Sequence, residues 1–327
     1  MSGQPVGILG LGYYVPQKVL TNADLEKTVD TSDEWIRTRT GIAQRRIAAE
    51  GENTSDLSVK AAQAALADAK LQAADLDLIV VATMTPDMPC PSTACIVQAK
   101  LDAPQAAALD VAAACSGFVY GLVMGQQFVV SGTYRRVLVV GAEVLSRVVD
   151  WTDRSTCVLF GDGAGAAVIG PTARGQILST YLGSDGRQAD LLKVPAGGVA
   201  QPASAESVKA RAHFLKMNGT EVFKHAVRQM AEAALRAIER AGVKPEQIAC
   251  VVPHQANIRI IQAVVERAGI PLEKVFLNVE RYGNMSAAST IVALCEAVRE
   301  GKIKQGDYAL LVAFGAGLTW GACVIRW

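Results

Sequence analysis

The chain repeats itself. AAQAALADAKLQAADLDLIVVATMTPD over 61–87 runs parallel to AEAALRAIERAGVKPEQIACVVPHQAN over 231–257. In both, a helix ends in a small loop and leads into a Val-rich strand. DVAAACSG (110–117) is matched by NVERYGNMSAAS (278–289), each closing a strand and opening an alanine-rich helix. FGDGAGAAVIG (160–170) is matched by FGAGLTWGACVIRW (314–327). The offsets drift from about 154 to 172 residues, as insertions make them do. Self-similarity on this scale implies two halves built alike and packed together. They are expected to meet near residue 172, where PTARG reads as a linker, giving halves 1–172 and 173–327.

Within each half, short β-branched runs alternate with helical stretches. LDLIVVATM (76–84), RVLVVGAEV (136–144), IACVVPH (248–254) and YALLVAFG (308–315) read as strands. TSDLSVKAAQAALADAK (54–70) and GTEVFKHAVRQMAEAALRAIERAG (219–242) read as helices. Alternation of this kind predicts an α/β fold with buried sheets. Half of the 327 residues are hydrophobic and 19% are charged, so a large core is available. The net charge of +1 offers nothing to nucleic acid, and no polybasic run points to a membrane surface. The start, MSGQPVGILGLGYYVP, lacks the charged segment of a secretory leader, and no apolar run approaches the ~18–20 residues that span a bilayer. Seven scattered cysteines, an odd number, fit a reducing cytoplasm better than a disulfide scaffold.

Three fragments carry chemistry. Cys115, in DVAAACSGF, sits between a strand and a helix, where free N–H groups and the helix dipole are expected to lower a thiol pKa and make it nucleophilic. Small neighbours, Ala112 to Ala114 and Gly117, leave room for a substrate. His254, in VVPHQAN, ends a strand; His213 and His225 lack such a setting. A neutral His254 is able to donate a hydrogen bond to a substrate oxygen, and Asn284, in RYGNMSAAS, is the natural second donor. Each residue has a plainer reading: a packed cysteine, a core histidine, a helix-capping asparagine. The repeat places Cys115 and Asn284 on equivalent turns, which pseudo-symmetry would bring together. GLGYYV lacks the third glycine of a dinucleotide fingerprint, GDGAGA lacks the GK[ST] of a P-loop, and no cysteine–histidine spacing suggests a metal.

Taken together, these fragments resemble the β-ketoacyl-ACP synthase III family over nearly the whole chain. The resemblance implies the thiolase fold, an internally duplicated five-layered α-β-α-β-α architecture. It also implies Cys115, His254 and Asn284 as the catalytic set, with an oxyanion hole from the backbone N–H groups of Cys115 and Ala316. Thiolases carry a second catalytic cysteine in the region that here reads AFGAGLTWG, and elongating ketosynthases use two histidines. The implied reaction joins an acyl-CoA primer to malonyl-ACP with loss of CO₂, giving 3-oxoacyl-ACP at the start of fatty-acid synthesis. No cofactor is implied, since acyl-CoA is a substrate.

TSDEWIRTRTGI (31–42) is the family's coenzyme A signature, implying Trp35, Arg39 and Arg154 around the nucleotide. Met217, Gly219, Phe223 and Asn257 correspond to the family's pantetheine tunnel. Lys224, Arg259 and Arg267 correspond to its docking face for the acidic carrier protein, with Glu266 interrupting the basic run. The Pro-rich stretch 84–98 corresponds to a loop that crosses a homodimer interface and closes the partner's acyl pocket. Cys90 stands at the gate, smaller than the phenylalanine of acetyl-preferring members. That implies a primer longer than acetyl, such as a branched four- or five-carbon acyl group. GRQADLLKVPAGGVAQPASAESVKARA (186–212) reads as a mobile cover over the tunnel. A related acyltransferase of secondary metabolism, a thioester hydrolase and a non-catalytic acyl-CoA or carrier-protein binding module are the alternatives; the last has no use for all three catalytic residues.

Overall fold

Among the described residues, nine strands build the two main sheets. The structure, a computed structural model, describes residues 4–327; Met1–Gly3, which open the stretch read for a leader, lie outside them. The first sheet uses β1 (Val6–Tyr14), β2 (Leu78–Ala82), β3 (Ala107–Val111), β4 (Val137–Val144) and β5 (Asp162–Pro171) in the order β1-β5-β4-β2-β3. The second uses β6 (Gln176–Ser184), β7 (Ile248–Pro253), β8 (Tyr308–Gly315) and β9 (Thr319–Arg326) in the order β7-β8-β9-β6. Read from the other edge, the second sheet repeats the first strand for strand: β6-β9-β8-β7 against β1-β5-β4-β2. In the first sheet β2 and β4 pair in parallel, in the second β7 and β8 do, and in each the next two pairings are antiparallel. Where β3 flanks β2, an isolated bridge joins Val251 to Val275 beside β7.

Helices complete the layers. α1 (Thr54–Ala69) and α2 (Thr93–Leu101) cover the outer face of the first sheet. α3 (Gly117–Val130) and α4 (Ala287–Arg299) lie between the sheets and touch both. α5 (Gly219–Ala241) covers the outer face of the second sheet, and α6 (Ile258–Arg267) packs on it. This is the expected five-layered duplicated arrangement. Every residue of β4 is buried, as a strand that is apolar but for Glu143 requires when helices cover both faces. The sequence dictates the helix ends as well. The Asn218 side chain caps the first turn of α5 by accepting the Glu221 N–H, and Gly242 closes the helix at φ +67°.

The central layer depends on small residues. A methyl group at Gly141 on β4 would lie 2.4 Å from the Ala287 carbonyl oxygen, and one at Gly165 on β5 would lie 2.5 Å from Ile291 Cγ2. Their absence lets α4 rest directly on the first sheet, which is the physical sense of the GDGAGA motif. At Gly117 a methyl group would sit 3.5 Å from Ala287 Cβ, so α3 and α4 meet at their first turns.

Gly141→Ala must push a backbone oxygen aside, and overpacking of this kind costs about 1–3 kcal/mol. Thermal denaturation should show Gly141→Ala and Gly165→Ala clearly destabilised. Gly186→Ala, whose added methyl would meet nothing within 4 Å beyond its chain neighbours, should stay within about 0.5 kcal/mol of the parent. Equal stability of all three would mean that α4 does not rest on the sheet as described.

Candidate active site

Cys115, His254 and Asn284 line one cavity of about 150 Å³, walled on its other side by α5 and the start of α6. Cys115 lies in a short turn, Ala114–Ser116, that runs into α3. His254 follows the last residue of β7 and donates its backbone N–H to Val312 of β8 at 2.8 Å. Asn284 sits in the turn before α4. All three are under 9% exposed. The fold brings the three together, but Asn284, read from sequence as closing a strand, instead follows a four-residue helix, Val279–Tyr282, and Gly283.

Local bonds orient each side chain. The Asn284 Oδ1 accepts the Ser286 N–H at 2.8 Å, which leaves the amide N–H₂ as its free, donating side. The Asn284 backbone is clamped on segment 159–161, donating to Leu159 O at 2.8 Å and accepting from Gly161 N–H at 3.0 Å. Gln255, next to His254, is fully buried. Its amide donates to Pro253 O and Phe276 O, and its Oε1 accepts from the Asn278 and Val279 N–H groups. His254 Nδ1 is buried without a hydrogen-bond partner among the described residues. Burial opposes the imidazolium form and lowers the His254 pKa to about 3, so the ring is neutral at physiological pH.

The thiol departs from expectation. The helix start was expected to lower the Cys115 pKa; instead burial pushes it up to about 12, and the negative charge of Glu143 adds to the rise. Desolvation of the enclosed thiolate outweighs the few N–H groups at the helix start.

A second cavity, of about 460 Å³, reaches Cys115 from the other side. Ala316 lines it, and the β8 terminus lies so close that a methyl group at Gly315 would be 2.6 Å from the Cys115 nitrogen. Met84 and Thr85 also form its wall. Cys90 is exposed and is not among the residues lining either cavity. Ala189, Leu192, Lys193 and Val194 cover the outer side. This cover is tied down rather than loose. Ala196 N–H donates to Ala212 O at 2.9 Å, Asn218 N–H donates to Leu191 O at 2.8 Å, and Arg211 forms an ion pair with Asp150. The Arg211 bond holds the Asp150 carboxyl well below the usual range. Composition alone suggested mobility, but the tethers come from backbone groups and from a distant aspartate.

The remaining expected residues fall into groups. Met217, Gly219, Phe223 and Asn257 line the 150 Å³ cavity, and Asn257 also caps α6 by accepting the Arg259 N–H. Lys224 and Arg259 share an adjoining surface pocket with Gly219, Phe223 and Asn257, so they stand at the mouth. Arg267 is elsewhere, in a surface groove with Arg228 and Arg236. The Arg39 and Arg154 guanidinium carbons each lie 4.8 Å from the centre of the Trp35 ring. This trio is separate from the cavity lining.

Sequence reasoning missed the buried charges that hold these turns. Glu143 accepts from Thr83, Met84 N–H, Thr85 and Ser286. Arg45, fully buried, donates to Leu20 O, Asn22 Oδ1 and Val158 O, bracing the segment under Asn284. Burial lowers its pKa to about 10. Glu296 accepts from Tyr13, Asn278, Arg281 and Tyr282, fixing the RYGN turn. A charge inside an apolar run was the only available signal.

Among the described residues no His/Cys/Asp/Glu group could hold a metal, and no helix is long and apolar enough to cross a membrane. Models of 3-oxoacyl-[acyl-carrier-protein] synthase III match residues 109–186, and of its C-terminal region residues 238–327. The β-ketoacyl-[acyl-carrier-protein] synthase III of Clostridioides difficile (strain 630) is 58% identical over 98% of both chains. That of Symbiobacterium thermophilum is 55% identical over 100% of this chain and 99% of its own. The crystal structure of 3-oxoacyl-[acyl-carrier-protein] synthase III from Aquifex aeolicus VF5 superimposes with a TM-score of 0.91, at 51% identity over 98% of this chain and 100% of that one. With the duplicated fold and the Cys–His–Asn cavity, these likenesses show that the chain belongs to the β-ketoacyl-[acyl-carrier-protein] synthase III family.

Proposed function

We propose that the chain condenses an acyl-CoA primer with malonyl-ACP through an acyl-Cys115 intermediate, releasing CoA, CO₂ and 3-oxoacyl-ACP. The observation that carries this reading is the convergence of a thiol, a neutral imidazole and an oriented amide on one cavity. In the first half-reaction Cys115 attacks the thioester carbonyl, and the Cys115 and Ala316 N–H groups receive the oxyanion. In the second, malonyl-ACP loses CO₂ and its enolate attacks the acyl group. His254 and Asn284 hold the enolate oxygen. Both are uncharged donors, so they stabilise the oxygen without protonating the carbon.

The two cavities suit two substrate parts. The 150 Å³ cavity leads from Cys115 to the mouth beside Lys224 and Arg259 and takes the pantetheine arm. Met217, Gly219, Phe223 and Asn257 line that arm's path. Trp35, Arg39 and Arg154 grip the nucleotide end of CoA by stacking and charge. Lys224 and Arg259, with Arg267 farther off, receive the acidic carrier protein. The 460 Å³ cavity holds the primer chain. Its volume and the small Cys90 favour branched primers over acetyl. A homodimer fits the exposed loop residues Met84, Met88 and Cys90 and the free edge of the first sheet at β3. The site is expected to work in the cytoplasm, with no cofactor, no membrane and no nucleic acid involved. The priming β-ketosynthase of the R1128 polyketide pathway is 37% identical, against 58% for the C. difficile synthase. The higher likeness favours fatty-acid initiation over secondary metabolism.

Intact-protein mass spectrometry with acetyl-, isobutyryl- and longer acyl-CoAs should show a mass gain in the parent and none in Cys115→Ala. The branched donors should load best, and malonyl-ACP should discharge the adduct as 3-oxoacyl-ACP. Acylation without a malonyl-dependent product would point to a hydrolase, no acylation to a binding module, and strict acetyl preference would sink the primer assignment.

The buried His254 makes a second prediction. Its pKa lies below the ordinary 6.5, so the native ring stays neutral while an unfolded one gains a proton as pH falls. Acidification below about pH 6.5 therefore favours the unfolded chain, and this contribution is fully present only above that pH. Decarboxylation of malonyl-ACP should show no imidazole titration between about pH 5.5 and 8. A break near 6.5 that disappears in His254→Asn would show that the imidazolium takes part.

A further inference from the structure

The proposed oxyanion hole takes its two N–H groups from segments far apart in the chain, and a pair of hydroxyls joins those segments. Cys115 belongs to the turn Ala114–Ser116 ahead of α3, and Ala316 belongs to the loop 316–318 between β8 and β9. Gly315 and Thr319 pair across that hairpin, so Thr319 closes the loop that carries Ala316. The Ser116 hydroxyl donates to Thr319 Oγ1 at 2.8 Å, with Ala113 O at 2.7 Å as its other acceptor. The Thr319 hydroxyl has Ala113 O and Ala316 O within reach, each at 3.0 Å. Each hydroxyl has one proton to give. Two hydroxyl oxygens 2.8 Å apart hold a proton between them, so a bond crosses from the turn to the hairpin whichever carbonyl takes the other proton.

Among the described residues, the Ser116–Thr319 and Thr319–Ala113 contacts are the only hydrogen bonds between residues 113–116 and 315–319. Packing sets how near the two segments come. A methyl group at Gly315 would lie 3.1 Å from Ala114 Cβ and 3.2 Å from Ser116 N. Repulsion fixes only the closest approach, and a directed bond is needed to keep the segments from drifting apart. The demand is strict, since a functional constellation must be held to within about 0.5 Å of its productive geometry. Ser116 is fully buried, and Thr319 lines the larger cavity with Cys115 and Ala316. The enolate donors are held by other groups: Asn284 by Leu159, Gly161 and Ser286, and His254 by Val312.

We propose that Thr319, assisted by Ser116, is a positioning residue for acylation. Its hydroxyl holds the Cys115 turn and the Ala316 loop at one spacing, so that both N–H groups converge on the oxygen of the tetrahedral adduct. This inference rests on the oxyanion hole proposed for Cys115 and Ala316. The two hydroxyls are not equivalent in this role. Without Thr319 Oγ1 no bond crosses the junction, and Ser116 turns to Ala113 O, so no buried donor is stranded. Without Ser116 Oγ, Thr319 still reaches Ala113 O across the junction. The half-reactions are not equivalent either, because decarboxylation uses the enolate donors.

The test is single-turnover CoA release, and separately malonyl-ACP decarboxylation, in the parent, Thr319→Val, Thr319→Ser and Ser116→Ala. Valine keeps the branched shape and loses the hydroxyl. Thr319→Val should slow saturated acylation by about 10–10²-fold, a part of the roughly 10²–10³-fold lost when an oxyanion donor is removed outright. The acyl-CoA concentration at half-saturation should stay within about twofold, and decarboxylation within about threefold, a split that a merely structural role would not give. Thr319→Ser should acylate within about threefold of the parent, and Ser116→Ala should fall between the serine and valine variants. Thr319→Ala carries the test if Thr319→Val does not fold. Equal loss in both half-reactions, or a serine variant as slow as the valine one, would overturn the clamp. No CoA release from the parent would overturn the acyl-carrier role of Cys115 and the clamp with it, whereas normal acylation by Thr319→Val would overturn the clamp alone.

Discussion

The contact between the first turns of α3 and α4 sets the rest of the structure. There Gly117 faces Ala287, and Gly141 and Gly165 let α4 lie against the first sheet. Because both helices begin at this contact, the turns that start them are neighbours. One turn carries Cys115 and the other carries Asn284. Duplication thus does more than double a core: it places the turns that open two equivalent helices face to face, and a cavity opens where they meet. Side chains larger than these would separate the turns and pull the thiol away from the amide.

Around that contact the interior carries isolated charges satisfied largely by neutral donors and acceptors. Glu143 holds the loop after β2 and the turn before α4. Arg45 braces the segment on which Asn284 is clamped, using carbonyl oxygens and one asparagine. Buried charges are costly unless every polar atom is engaged. Their presence here marks the places where backbone direction matters most to the chemistry. Met84 and Ser286, both bonded to Glu143, also wall the larger cavity together with Cys115.

Much of this was legible in the residue order. The strand read as YALLVAFG is β8 to the residue, and the helix read at 219–242 ends one residue earlier, at Ala241, with Gly242 as its cap. Periodicity and glycine punctuation are local, so they survive in sequence. The positions of Cys115, His254 and Asn284 were legible for the same reason: each sits where an apolar run meets a turn. What was not legible depends on long-range partners. Glu143 looked like one residue of a strand, and only the fold brings Thr83, Thr85 and Ser286 to it. The helix start suggested an acidic thiol, but enclosure from both halves reverses the shift. The 186–212 cover read as loose because its restraints are backbone bonds and a salt bridge to Asp150, none of which composition records.

The central claim is a division of labour, with the thiol on one turn carrying the acyl group and the donors at the other turn and at the end of β7 holding the enolate. Assaying the two half-reactions separately in Cys115→Ala, His254→Ala and Asn284→Ala tests it most directly. The account predicts a double dissociation. Cys115→Ala should lose acylation yet still decarboxylate malonyl-ACP, while loss of either donor should slow decarboxylation by about 10²–10³-fold and leave acylation measurable. If all three substitutions abolished both steps together, or if Cys115→Ala alone stopped decarboxylation, the two turns would not divide the reaction and the account would be wrong.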